Sequence, residues 1–124
     1  MAGASYGSIA DEVNTRDVFL GFSTIGDTGQ RVRWDNSGAM VVMKPVPGDW
    51  THDVVALNDP GLAVGSSGSH AAVWDSAGNA TRLPDETPDR PACRSSAEQI
   101  NNAGQIIGNV DCRDVPGFAA VIWR

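Results

Sequence analysis

Cysteine, histidine, lysine and tyrosine are scarce: the 124 residues hold two, two, one and one of them. With no Cys-x-x-Cys spacing and so few imidazoles, a zinc centre of the usual ligand count has no donors to draw on. Neither metal nor cofactor is expected. The single Lys and the dispersed Arg residues, in a chain of net charge −6, do not form the clustered cations that nucleic acid or an anionic membrane surface requires. No apolar run approaches the roughly 20 residues that cross a bilayer, so membrane insertion is not expected. The opening "MAGASYGSIADE" has neither a charged n-region nor an apolar h-region. A mature secreted chain with a replacement Met would look the same.

Glycine and repetition are what the chain has in quantity. Its 14 Gly and 7 Pro punctuate short apolar stretches, and a hydrophobic content of 41% is enough for one packed core at this length. "VNTRDVFLGF" from Val13, "LNDPGLAVGS" from Leu57 and "INNAGQIIGN" from Ile100 share one pattern. Asn14, Asn58 and Asn101 start it, and Gly21, Gly65 and Gly108 close it. An Asn side chain accepts from the backbone just ahead, and a residue three positions on (Asp17, Gly61, Gly104) takes the positive φ that ends a tight turn. Each copy therefore reads as strand, turn, strand.

A second element follows each copy: "QRVRWDNSG", "HAAVWDSAG" and "AAVIWR". Trp34, Trp74 and Trp123 coincide, with Val32, Ala72 and Val121 two residues earlier, so a period of two puts each pair on one core-facing strand face. "WDNSG" and "WDSAG" then turn into a fourth strand. Four short strands in a repeat of about 43 residues is the spacing of propeller blades. The expected fold is all-β, a single domain of three propeller-blade-like repeats at about 10–43, 54–83 and 97–124. A segment near Gly3 to Ser8 is expected to supply the strand that the third repeat lacks. A β-trefoil, also built from three four-stranded repeats, is the alternative.

"INNAGQIIG" together with "HAAVW" resembles the bacterial HAF-type extracellular repeat, whose pattern is roughly I-N-[DN]-x-G-x-[VI]-[VI]-G followed by H-A-F-L-W. The second copy keeps His70, Ala71 and Trp74 but has Ala72 for the Phe. The third has Ala119 for the His, and the first, with Gln30 and Arg31, departs most. The resemblance covers most of residues 13 to 124. It implies a secreted or surface β-repeat protein of propeller type, and it carries over no catalytic residues. Three blades fall short of the roughly four to eight of a propeller, so a homo-oligomer is expected, a dimer forming one six-bladed ring.

Cys93 and Cys112 lie equally far from the turn centre at Asn102-Ala103, which makes them cross-strand neighbours in an antiparallel hairpin, give or take a bulge. A disulfide there suits an extracellular location. "GSSGS" (Gly65 to Ser69) fails the G-x-S-x-G elbow and reads as a turn. Asp49, Asp53, Asp85 and Glu86 are carboxylates on loops or beside them, without a pairing that marks acid–base chemistry.

The segment that breaks the repeat, "KPVPGDWTHD" (Lys44 to Asp53), is the more informative one. Trp50 has no counterpart among the aligned tryptophans and sits with Asp49, His52 and Asp53, as sugar stacking or a protein hot spot requires. The competing reading has Trp50 plug a gap between repeats. Arg31 and Arg33 replace small or apolar residues of the other repeats, which marks a solvated face or one that takes an acidic or glycan ligand. The expected function is a secreted, non-catalytic binding module for a glycan or protein partner. A structural subunit of an extracellular complex comes second. A hydrolase is third, because no nucleophile, base and orienting group support one another.

Overall fold

The structure, a computed structural model, describes residues 8–25, 28–84, 93–112 and 115–124. Among these residues there is no helix, and all the strands pair antiparallel in three small sheets. The first sheet takes β1 (Ser8–Val13), β2 (Phe19–Ile25), β3 (Thr28–Trp34) and β4 (Met40–Val42) in sequence order. The second repeats that order with β5 (His52–Leu57), β6 (Ala63–Ser67), β7 (His70–Trp74) and β8 (Ala80–Arg82). The third has β9 (Cys93–Ile100), β10 (Ile106–Cys112) and β11 (Val115–Trp123), with β10 in the middle. Ser8 opens β1 and pairs with Ser23 in the first sheet. The rest of the expected closing segment, residues 3–7, lies outside the described residues.

The repeat is reproduced at the level of single residues. Phe19, Ala63 and Ile106 stand opposite Trp34, Trp74 and Trp123. The positive φ that the tight turn needs falls at Asp17 (59°), Gly61 (101°) and Gly104 (86°). In each turn the Asn Oδ1 accepts from the backbone ahead: Asn14 from Arg16 and Val18, Asn58 from Gly61 and Leu62, Asn101 from Ala103 and Gln105. The closing glycines answer a different need from turn geometry. The first strand of every sheet carries a bulge, between Ala10 and Glu12, between Val54 and Ala56, and between Ala97 and Gln99. Gly65 and Gly108 face that bulge, where a Cβ would come within 1.9 Å of the Asp53 or Ser96 carbonyl oxygen. The bulge in β9 also brings Cys93 opposite Cys112, and the two form a disulfide.

The sheets pack on one another through two apolar clusters. Leu20, Met43, Val54, Leu57 and Trp74 join the first sheet to the second. Val64, Ala97, Ile106, Val110 and Trp123 join the second to the third. The aligned tryptophans are all buried, as their spacing predicts, at 1%, 0% and 6% exposure. Alongside this packing runs a polar ladder that the turn reading did not foresee. Asn14 Nδ2 donates to the Asn58 carbonyl at 2.9 Å, and Asn58 Nδ2 donates to the Asn101 carbonyl at 3.0 Å. One side chain thus closes its own turn with its oxygen and reaches the next repeat with its nitrogen, which satisfies a buried amide at both ends.

Candidate functional site

The loop from Lys44 to Thr51 is held at several points although it contains no regular structure. Lys44 N–H donates to the Gly78 carbonyl and Asp49 N–H to the Val46 carbonyl, both at 2.9 Å. Ser67 Oγ accepts from Val46 N–H at 2.9 Å and donates to Asp49 Oδ2 at 2.7 Å. Gly68 N–H reaches back to the Thr51 carbonyl at 2.8 Å. Trp50 stands out from this anchored loop with 96% of its surface exposed, in contrast to every other Trp of the chain. It does not plug a gap between repeats.

The other candidate residues of this region are engaged within the protein. Asp49 is tied to Ser67, and its carboxylate lies where a Cβ on Gly68 would meet it, at 2.9 Å. His52 turns its Nε2 to the Met43 carbonyl and its ring towards Trp74, with centroids 6.0 Å apart. Asp53 pairs with Arg31 across the first two sheets at 2.9 Å, and the Arg31 guanidinium also lies over the Phe22 ring, 5.9 Å from its centroid. Arg33, expected on a solvated or ligand-binding face, is only 7% exposed. Its Nη1 donates to the Gly61 carbonyl at 2.7 Å. Burial lowers the Arg33 pKa, and the Asp75 and Asp35 carboxylates offset part of that effect. Arg33 therefore acts as a clip between repeats, because a buried guanidinium is held where carbonyl oxygens satisfy it. Asp85 and Glu86 lie outside the described residues.

A second feature lies next to the Trp50 loop. Ser66, Ser69, Arg94, Ser96, Asn109 and Asp111 line an open groove of about 380 Å³ along the second and third sheets. The β6–β7 turn serves both features: Gly68, with φ of 59°, lines the groove and also bonds the Trp50 loop. Of "GSSGS", Gly65 to Ser67 end β6 and only Gly68 and Ser69 form the expected turn, with Ser66 and Ser69 bordering the groove. Sequence reading missed this groove because its residues come from β6, β9 and β10, each an ordinary strand or turn residue on its own. The one signal available was that Ala71 and Ser96 replace the pair held in the first seam by Arg31 and Asp53. Among the described residues no group of three or more His, Cys, Asp or Glu could hold a metal ion. No helix in them is long and apolar enough to cross a membrane.

No protein-family model matches this chain, and no curated protein or solved structure shows significant similarity to it.

Proposed function

We propose that this chain is an extracellular, non-catalytic module that binds a glycan at the Trp50 loop and the adjoining groove. The observation that carries the reading is a fully presented indole on a loop already fixed by backbone and side-chain hydrogen bonds. Exposing so large an apolar ring is unfavourable in water, and a fixed loop loses little conformational freedom on binding. An aromatic face beside hydroxyl, amide and carboxylate groups suits a sugar, which offers C–H faces and hydroxyls together. The Cys93–Cys112 disulfide is consistent with an extracellular protein, and the likeness of "INNAGQIIG" and "HAAVW" to extracellular repeats agrees with it. The propeller-type arrangement belongs to the same proposal.

A panel of surface and cell-wall polysaccharides, titrated calorimetrically against wild type, Trp50→Ala and Asp111→Ala, tests it. Trp50→Ala is expected to weaken binding at least about tenfold, equivalent to about 1.4 kcal/mol, and Asp111→Ala less. The bound glycan is expected to be recovered uncleaved. Undiminished binding by Trp50→Ala would sink the site. A protein ligand in place of a glycan would sink the ligand class and favour a structural subunit.

A further inference from the structure

Along β10 the residues alternate strictly: Ile107, Asn109 and Asp111 are exposed, and Ile106, Gly108, Val110 and Cys112 are buried. Cross-strand partners share a sheet face, so Gln99, Ser96 and Arg94 on β9 lie on the exposed side, as do Ile122 and Ala120 on β11. That face is graded along the strands. Arg94 and Asp111 form one end, Ser96 and Asn109 the middle, and Gln99, Ile107 and Ile122 the other end. The charged and middle rows line the groove of about 380 Å³. The apolar row lines an open hollow of about 320 Å³ with Asn101, Gln105 and Arg124. At a rise of about 3.4 Å per residue, Ile107 and Asp111 stand about 14 Å apart on the same strand face.

Both ends of this face are left without partners. Ile107 is 48% and Ile122 51% exposed, whereas Leu20 and Val64, in the register of Ile107, are covered by the next sheet at 1% and 0%. Two isoleucines opposite each other and half in water gain free energy when an apolar group covers them. At the other end the Arg94, Asn109 and Asp111 side chains have no hydrogen-bond partner among the described residues. A wholly apolar ligand would desolvate these groups without replacing their hydrogen bonds. A wholly polar one would leave the isoleucines wet.

We infer that the ligand of this face is an amphipathic glycan, a sugar that carries an acyl or alkyl chain. The sugar hydroxyls lie against Arg94, Asn109 and Asp111, and the chain covers Ile107 and Ile122. This rests on the reading of the Trp50 loop and groove as a glycan site, and adds an apolar group to the ligand. Continuity carries the choice of occupant: groove and hollow share β9 and β10, so one ligand reaches both. A chain of methylenes needs only the two isoleucines. A second copy of the sheet seated over the whole face would also have to pair Arg94 and Asp111 across the contact.

Methyl and octyl glycosides of glucose, galactose, mannose and N-acetylglucosamine, titrated calorimetrically below the micelle concentration, test it. For at least one sugar the octyl glycoside is expected to bind about tenfold tighter than the methyl glycoside. Ile107→Ser and Ile122→Ser are each expected to remove most of that ratio and to leave Trp50-dependent polysaccharide binding and the far-UV spectrum unchanged. Both residues are half-exposed, and either variant alone is sufficient for the test. A ratio near one, with polysaccharide still bound, overturns the inference and leaves the glycan site standing. Absence of any glycan binding by the wild type overturns both. An octyl advantage that survives the two substitutions also overturns the inference, as does octanol binding as tightly as the octyl glycosides. So does a wild-type dimer that Ile122→Ser dissociates in light scattering, since a second copy then covers the face.

Discussion

Between the first and second sheets the Arg31–Asp53 ion pair and the buried Arg33 cross the boundary. Between the second and third, the corresponding residues are Ala71, Ser96 and Val73, and a hydroxyl-lined groove lies there instead. The Asn ladder and the apolar clusters are common to both seams. Repetition thus supplies the frame, and departures from it decide whether a boundary is sealed with charge or left as an open groove. Trp50 makes the same point, because it lies where the repeat is interrupted.

The largest expected effect belongs to the second seam. Replacing Cys93 and Cys112 with Ser frees a hairpin loop of about 20 residues and is expected to cost about 3 kcal/mol in denaturant-induced unfolding. Groove-dependent binding should weaken along with it, because β9 and β10 carry most of the lining. Next comes the first seam. Arg33→Ala strands the Gly61 carbonyl and should cost about 2 kcal/mol, whereas Arg33→Met, which keeps the packing and removes the buried charge, should cost less. If Met proves as damaging as Ala, the hydrogen bond rather than the packing holds that seam.

The smallest effect is a pH dependence shared by both seams. The Asp59 carboxyl is held below its ordinary pKa by the Thr15 backbone N–H, then by the Thr15 hydroxyl and Asn102. Because the folded value is depressed, its contribution is complete above the ordinary carboxylate range and disappears as pH falls through the folded value. Melting temperatures measured on acidification should drop less for Asp59→Asn than for wild type. An identical acid profile would show that Asp59 does not couple the seams. Asp35, held low by the Ser37 hydroxyl and backbone in a turn within the first sheet, titrates with the same sign and serves as the comparison.

Much of the frame was legible in the chain. The Asn to Gly spacing located the tight turns, the period of two located the buried tryptophans, and the symmetry of Cys93 and Cys112 about a turn located the disulfide. Each of these is a local relation in which a few neighbouring residues and a hairpin register leave little choice. The candidate site was legible only at Trp50. His52, Asp53, Arg31 and Arg33 have the right chemistry for a ligand, but their partners are Trp74, Met43 and Gly61, and the Arg31–Asp53 pair itself, all from other strands or loops. Nothing in the spacing of residues along one strand says what faces it across a seam.

The repeated motif is the clearest case of this division. Its sequence alone determined that Asn14, Asn58 and Asn101 begin turns, since the side-chain oxygen reaches backbone only two to four residues ahead. That their amide nitrogens link one sheet to the next, and that Gly65 and Gly108 make room for a bulge on a neighbouring strand, was decided by the tertiary structure. The groups concerned lie about 43 residues apart for the ladder and on different strands for the bulge. Only packing brings them within hydrogen-bonding or van der Waals reach.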